Sequence, residues 1–408
     1  MSGAARIVAR LNELNGLSDD EAGLTRLTLS PAHKRAVDLV SAWMQEAGLA
    51  TRLDGAATLV GRQEGLRPSA KTLLLGSHID SVRNAGMFDG PLGVVIAIEA
   101  LDRLRARGVK LPFAIEVLAF GDEEGVRFST SLTGSRAVAG VFDEACLETR
   151  DAAGVSRRQA LEAFGCDPSS IAQEARNRAD VLGYVEVHIE QGPVLEAKGL
   201  PLGIVTAING ASRGEIVVTG AAGHSGTLPM NMRRDAAAAG AEIVLAVEEI
   251  GASRPDLVAT IGRFEIRNGA VNVVPGNARL SIDVRSPRDA DRAAAIAEIG
   301  ARVQEIAARR SVTAEMTISY DMPAAPCDPA LMSALERALI RCGHEAFALP
   351  SGAGHDAMSF RNRMPLAMLF VRCRGGVSHR PDEFASEADI ASALAVLEDF
   401  IETFGAEA

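Results

Sequence analysis

Aromatic residues make up only 4% of the 408-residue chain, with a single Trp, so the stacking platforms of single-strand nucleic-acid binders are not expected. Positive charge is also short: 42 Lys and Arg stand against 53 Asp and Glu, a net charge of −11, which argues against a general nucleic-acid partner. The five cysteines, at 146, 166, 327, 342 and 373, are widely spaced and form no CxxC pair, so zinc-finger, thioredoxin-like and disulfide-scaffold readings fall away. Apolar runs such as Val94 to Ile98 fall far short of the roughly 20 residues that a membrane span needs. The opening run MSGAARIVARLNELN has no apolar core or cleavage site, so the expectation is a cytoplasmic enzyme rather than an exported precursor. No fixed-period repeat is visible, and the 39 glycines are scattered rather than gathered in a low-complexity tail.

What is present is a globular composition, 47% hydrophobic and 23% charged, at a length that suits about two or three domains. Helical spacing predicts amphipathic helices over 5–15 and 32–47, with Pro31 placed to start the second. KTLLLGSHID (71–80) reads as a buried strand ending in polar residues, followed by a helix from Gly93 to Leu104. AIEVLAFGDEEG (114–125) and GYVEVHIEQG (183–192) repeat the form of an apolar strand ending in acids or imidazole. Open α/β sheets bind ligands at such C-terminal strand ends, so the fold class is α/β with a site there. After Gly203 the texture changes. Strands at 214–220, 259–266, 278–284 and 312–320, with helices at 234–249 and 289–309, give a βαββαβ order, expected as a small inserted domain over 209–322. Residues 1–208 and 323–408 are then the two parts of the larger domain.

Of seven His, five sit in polar, Gly-rich settings: His78, His188, His224, His355 and His379. His78 and Asp80 are two apart on an extended segment, so Asp80 is placed to accept a hydrogen bond from the second ring nitrogen of a metal-bound His78. Asp89, among glycines in NAGMFDGPLGV, suits a carboxylate bridging two cations; taken alone it reads by default as an ordinary Asp-Gly turn. Glu123 and Glu124 are adjacent carboxylates at a strand end, costly without a nearby cation unless the turn is solvated. Their side chains diverge, so one can ligate while the other takes a proton. Glu186, His188 and Glu190 alternate on one strand face as possible ligands, with His188 the best match to a borderline metal. Together His78, Asp89, Glu124, His188 and His379 offer three ligands to each of two divalent ions with Asp89 shared; zinc fits, as do manganese, cobalt and nickel. Arg285 in SIDVRSP is the candidate anchor for a substrate carboxylate, with a surface ion pair as its alternative, and Asn272 lies in GAVNVVPG.

GSHIDSVRNAGMFDGPLGV, FGDEEGVRF, VEVHIEQGPVLE, GAAGHSGTLPMNMRRDA, NVVPG, SGAGHDAM and GVSHRPDE, in order from about residue 74 to 387, resemble the amidase/hydantoinase/carbamoylase group of dinuclear metallopeptidase-like hydrolases. The resemblance implies a zinc-peptidase-like α/β catalytic domain with an inserted ferredoxin-like domain that serves as dimer contact and lid. It implies that His78, Asp89 and His188 hold one metal and Asp89, Glu124 and His379 the other, with Glu123 as general base. His224 would polarise the scissile carbonyl from the partner subunit of a homodimer, and Gln191, Arg233, Asn272, Arg285, Gly354 and His355 would line the substrate pocket. The implied reaction is hydrolysis of a ureido carboxylate: an N-carbamoyl-L-amino acid to the L-amino acid, ammonia and CO₂. Allantoate hydrolysis releasing ureidoglycine, or β-ureidopropionate hydrolysis, is the alternative. A peptidase and a non-catalytic binding protein are the rival classes. The chain departs from the group at Asn84-Ala85-Gly86, Pro91, Leu228 and Arg372-Cys373-Arg374; the last adds positive charge near His379, which would favour a more acidic substrate.

Overall fold

The computed structural model describes residues 1–67 and 69–407; Pro68 and Ala408, which fall within the expected domain spans, lie outside the described residues. The chain divides into two compact units, one of residues 1–206, 326–349 and 353–408, the other of 207–325 and 350–352.

In the first unit, four adjacent parallel strands form the centre of a nine-stranded sheet, in the order Ala114–Phe120, Thr72–His78, Val181–Ile189, Leu366–Val371. Every residue of the first two is buried, which is why they read as unbroken apolar runs rather than as alternation. The crossover between them is the helix Pro91–Ala106, buried along almost its whole first three turns, with Pro91 at its first position where a missing N–H costs nothing. The helices Gly3–Asn15 and Pro31–Glu46 are capped by Ser2 and Ser30, whose hydroxyls accept from the backbone N–H groups of Ala5 and His33. Parallel pairing brings the C-terminal ends of the four strands to one edge of the sheet, and each is followed by a polar loop. Among the described residues, no helix is long and apolar enough to cross a membrane.

The second unit is an antiparallel sheet, in the order Phe264–Ile266, Asn277–Ser286, Gly210–Thr219, Thr313–Met322, with Val258–Thr260 also paired to Asn277–Ser286. The helices Ala236–Ala252 and Asp289–Arg309 form a separate core with the sheet. The alternation of Asn277–Ser286 turns Ala278, Leu280, Ile282 and Val284 toward that core and leaves Arg279, Ser281, Asp283 and Arg285 on the other face. The strand expected over 259–266 is interrupted. Thr260 pairs with Asp283 and Phe264 with Leu280, so one side carries an extra residue, a bulge at Gly262 where Ser281 Oγ accepts from Arg263 N. A two-stranded ribbon, Gly223–His224 against Val273–Val274, was not expected; its strands are too short to leave a periodic signature.

Truncating the inward side of this strand is expected to cost far more than truncating the outward side. Leu280→Ala should destabilise the unit by about 2–5 kcal/mol in chemical unfolding and Arg279→Ala by less than about 1 kcal/mol. Equal costs would contradict the assignment of faces.

Candidate metal centre

Each of the four strand ends supplies part of one cluster. His78 is the last residue of its strand, Glu123 and Glu124 follow the strand that ends at Phe120, His188 is next to last in its strand, and His379 follows the strand that ends at Val371. Asp89 precedes the crossover helix and is 4% exposed. One ligand atom from each of His78, Asp89 and His188 falls within a 4.8 Å group, and the same holds for Asp89, Glu124 and His379.

The two oxygens of Asp89 face opposite ways. Its Oδ1 lies 3.1 Å from His188 Nε2 and 3.7 Å from His78 Nε2, whereas Oδ2 lies 3.2 Å from His379 Nε2, which is itself 3.6 Å from Glu124 Oε2. The other ring nitrogens explain why a cation fits. His78 Nδ1 sits 3.1 Å from the carbonyl of Asp80, and His188 Nδ1 2.9 Å from that of Ile189. A ring nitrogen beside a carbonyl oxygen carries a proton, so in the neutral ring each Nε2 is the nitrogen left with a lone pair facing carboxylate oxygen. His188 Nε2 is buried with no hydrogen-bond partner among the described residues. Facing carboxylate oxygen, these nitrogens take either a proton or a cation between them, which is why His78 and His188 are raised above the usual imidazole range, and mixed imidazole and carboxylate donors suit a divalent metal.

Of Glu186, His188 and Glu190, both acids already accept hydrogen bonds, while Glu186 also groups with His188 and His355 within 4.8 Å. Glu190 accepts from the N–H groups of Val194 and Leu195 at 2.8 and 2.9 Å, capping the next helix. Glu186 accepts from Ser77, Tyr184 and the N–H of Ala357. Asp80 acts differently from expectation: the shorter contact to His78 is its carbonyl, with the carboxylate at 3.5 Å, because the strand ends at His78 and the chain turns. Its carboxylate instead accepts from the N–H groups of Glu123 (3.1 Å) and Glu124 (3.3 Å), holding the acidic loop. That loop has a second anchor, absent from the sequence reading: fully buried Arg157 pairs with Asp122 and donates to Thr130 O at 2.7 Å.

Burial lifts Glu123 well above the carboxylate range, and Glu124 and Asp356 add to the shift. Glu124 is pushed up to about 7, first by burial and then by the charge of Asp89. His379 is raised to about 9 by its hydrogen bond to Asp89. Glu123 Oε2 stands 4.0 Å from His78 Nε2, and a side chain at Gly354 would start 4.0 Å from Glu123 Oε1, so glycine there keeps the ground beside the acid open.

The remaining expected residues fall in both units. In the first, Gln191 gives its amide N–H to Asp89 Oδ2 at 2.8 Å, while its Oε1 is buried without a partner among the described residues. His355 is buried with its ring edge-on to His188 at 4.5 Å between centroids, and burial keeps it well below the usual imidazole range. In the second, the ribbon sets His224 directly opposite Val273 and beside Asn272, whose carbonyl accepts from Ser225 N. His224 Nδ1 accepts from Gly226 N at 3.1 Å, so the neutral ring carries its proton on Nε2. Arg233 donates from Nε and Nη2 to the carbonyls of Leu228 and Ser225, bracing this loop. Arg285 is similarly engaged: Nε and Nη2 hold both oxygens of Asp283, and Nη1 donates to Gly352 O. Asp283 also receives Arg213 Nε from the residue directly across the strands. Of the charge expected near His379, Arg372 forms a bidentate pair with Asp389, while Arg374 lies over the ring of Phe384.

Comparison with known proteins gives a consistent result. The sequence profile described as Peptidase family M20/M25/M40 matches residues 74–403. An N-carbamoyl-L-amino acid amidohydrolase of Geobacillus stearothermophilus is 41% identical, over 96% of this chain and 96% of that protein. Allantoate deiminase 2 of Glycine max is 40% identical, over 96% of this chain and 87% of that protein. The crystal structure of an amidase of the hydantoinase/carbamoylase family from Burkholderia multivorans superposes with a TM-score of 0.93 at 32% identity, covering 98% of this chain and 97% of that one.

A cation held by Glu124 and His379 needs both deprotonated, whereas burial pushes Glu124 up to about 7 and the hydrogen bond to Asp89 pushes His379 up to about 9. Lowering the pH protonates both, so affinity for Mn²⁺ should rise steadily from about pH 6.5 to about 8.5, with protons released on binding. Chelator competition across that range tests this, and a flat profile would contradict it.

Proposed function

This chain belongs to peptidase family M20/M25/M40, and from that membership we propose that it is a metal-dependent amidohydrolase of a small ureido carboxylate, with N-carbamoyl-L-amino acids as its first substrate class. The observation that carries the reading is the division of Asp89 between His78 and His188 on one oxygen and His379 and Glu124 on the other. A peptide substrate is disfavoured by the relatives, which are named for carbamoyl amino acids and allantoate. Allantoate stays as the second reading, because that relative is nearly as similar as the first.

In this proposal the two groups around Asp89 hold two divalent ions, which when bound polarise the ureido carbonyl and make water acidic enough to attack it near neutral pH. Glu123 takes the proton of the attacking water at its carboxylate and returns it to the leaving nitrogen; the carbon is released as CO₂ with ammonia, leaving the L-amino acid. Its upward displacement by burial fits a group that takes up a proton and gives it back. His224, with its proton on Nε2, donates to the developing oxyanion. By the family resemblance this is the partner subunit's His224 in a homodimer formed through the second unit. Gln191 Oε1 offers an acceptor to a ureido N–H. Arg285 binds the carboxylate with the N–H donors that Asp283 and Gly352 leave over, so Asp283 sets the direction from which the substrate can be held.

The deciding measurement is ammonia release by metal-reconstituted protein on N-carbamoyl-L-amino acids, N-carbamoyl-β-alanine and allantoate, with an EDTA-treated control. Turnover of a carbamoyl amino acid is expected; turnover of allantoate alone would move the assignment to the second reading. Glu123→Gln should keep its metal content and lose at least about a hundredfold in turnover, and near-normal turnover would remove Glu123 as the base. Mixing E123Q with His224→Ala subunits should restore partial activity, and none after proven subunit exchange would contradict a shared site.

A further inference from the structure

Glu383 lies four positions beyond His379, in the loop that follows the strand Leu366–Val371, and is 5% exposed. Its Oε1 accepts from the backbone N–H groups of Phe88 (2.9 Å) and Asp89 (3.0 Å), which belong to a loop 294 positions earlier. Its Oε2 lies 3.0 Å from the hydroxyl of Ser378, and that hydroxyl is also 2.8 Å from Asp89 Oδ2. The approach of the two loops depends on Gly86, where a Cβ would come within 2.3 Å of Glu383 Cβ. A buried carboxylate is costly unless its oxygens are satisfied, and here both oxygens are committed to the Asp89 and Ser378 side of the cluster. Glu383 has no place in either cation group, so it is not a ligand. Its neighbour needs holding, however: His379 has φ 58°, a left-handed backbone that a non-glycine residue keeps only when its surroundings enforce it.

We propose that Glu383 is a positioning residue that ties the backbone of Asp89 to the loop of His379, so that the shared carboxylate and the last imidazole meet a cation as one preformed unit. The inference rests on the metal-centre reading above. Two otherwise independent loops are joined at Glu383 by hydrogen bonds to main chain, which fix where Asp89 begins, and through Ser378, which fixes where its Oδ2 ends. Without it, ordering both loops would have to be driven by the cation, and affinity would fall by that cost; partners of metal ligands typically change affinity tenfold to a hundredfold. The loss should fall mainly on the ion that needs His379, because His78 and His188 are fixed by their own carbonyl contacts.

The test is calorimetric titration of EDTA-stripped protein with Mn²⁺, for wild type, Glu383→Ala, Glu383→Gln, Ser378→Ala and, as controls, His379→Ala and His188→Ala. E383A should weaken one of two ions by about 10- to 100-fold while the other changes by less than about threefold. E383Q, whose carbonyl oxygen can still accept both N–H groups, should recover to within about fivefold of wild type, a rescue that general loss of packing would not show. S378A should weaken the same ion, by less than E383A. Wild-type affinity in E383A, or an equal loss in E383A and E383Q, overturns the proposal while ion loss in the His controls leaves the metal centre standing. Wild-type binding by both His controls would instead overturn the metal-centre reading itself. If E383A does not fold, S378A decides, and unchanged affinity there overturns the proposal.

Discussion

The first unit is organised around one buried carboxylate. Asp89 is almost wholly enclosed and faces three imidazoles, with Glu123 and Glu124 close behind them. Concentrating acids in a low-dielectric interior is unfavourable, and the raised pKa values of Glu123 and Glu124 express that cost directly. A positive centre reverses the balance. The surroundings of Asp89 show that its position is imposed rather than incidental: Gln191 and Ser378 bind one of its oxygens, and Gln191 and His379 both hold left-handed backbones to stand where they do. The negative charge of the chain as a whole is therefore a poor guide to its partner, whereas the local excess of acid is an informative one.

Much of this was legible in the sequence, for a physical reason. Strands buried on both faces appear as short apolar runs, and a polar residue ending such a run, as in LLLGSH or VLAFGDEE, must lie at a sheet edge where chemistry is possible. The helices over 5–15 and 32–47 and the βαββαβ order were legible because one-sided burial leaves a period. What the sequence withheld depends on contacts distant in the chain. Glu383 stood inside the motif GVSHRPDE, yet its partners Phe88 and Asp89 are on another loop, and no local pattern links them. Arg157 and Asp122 are a buried pair of the same kind.

The arginines teach a narrower lesson. Arg233, Arg285, Arg372 and Arg374 all looked available as charges, and each is engaged by carbonyls, a carboxylate or a ring. A guanidinium has many donors, so engagement does not remove it from recognition; it restricts the directions in which it can still bind. For Arg285 the restriction comes from Asp283, two residues away on the same strand face, and Asp283 is in turn held by Arg213 across the sheet. Arg285 is thus part of an alternating charge ladder, and its aim is set by strand register.

The place of the strand Leu366–Val371 between Val181–Ile189 and Leu202–Ile208 has a consequence for biosynthesis. This strand is made among the last, yet it fills a central slot, and the loop it leads into carries His379. While the ribosome is still adding the preceding residues, Val181–Ile189 has an open edge able to pair with another chain. The emerging polypeptide already carries His78, Asp89 and His188, but the candidate group of Asp89, Glu124 and His379 is complete only once this strand and its loop have been made. Completion of the sheet and of the candidate group that includes His379 therefore coincide, and a protein truncated before this strand would lack both.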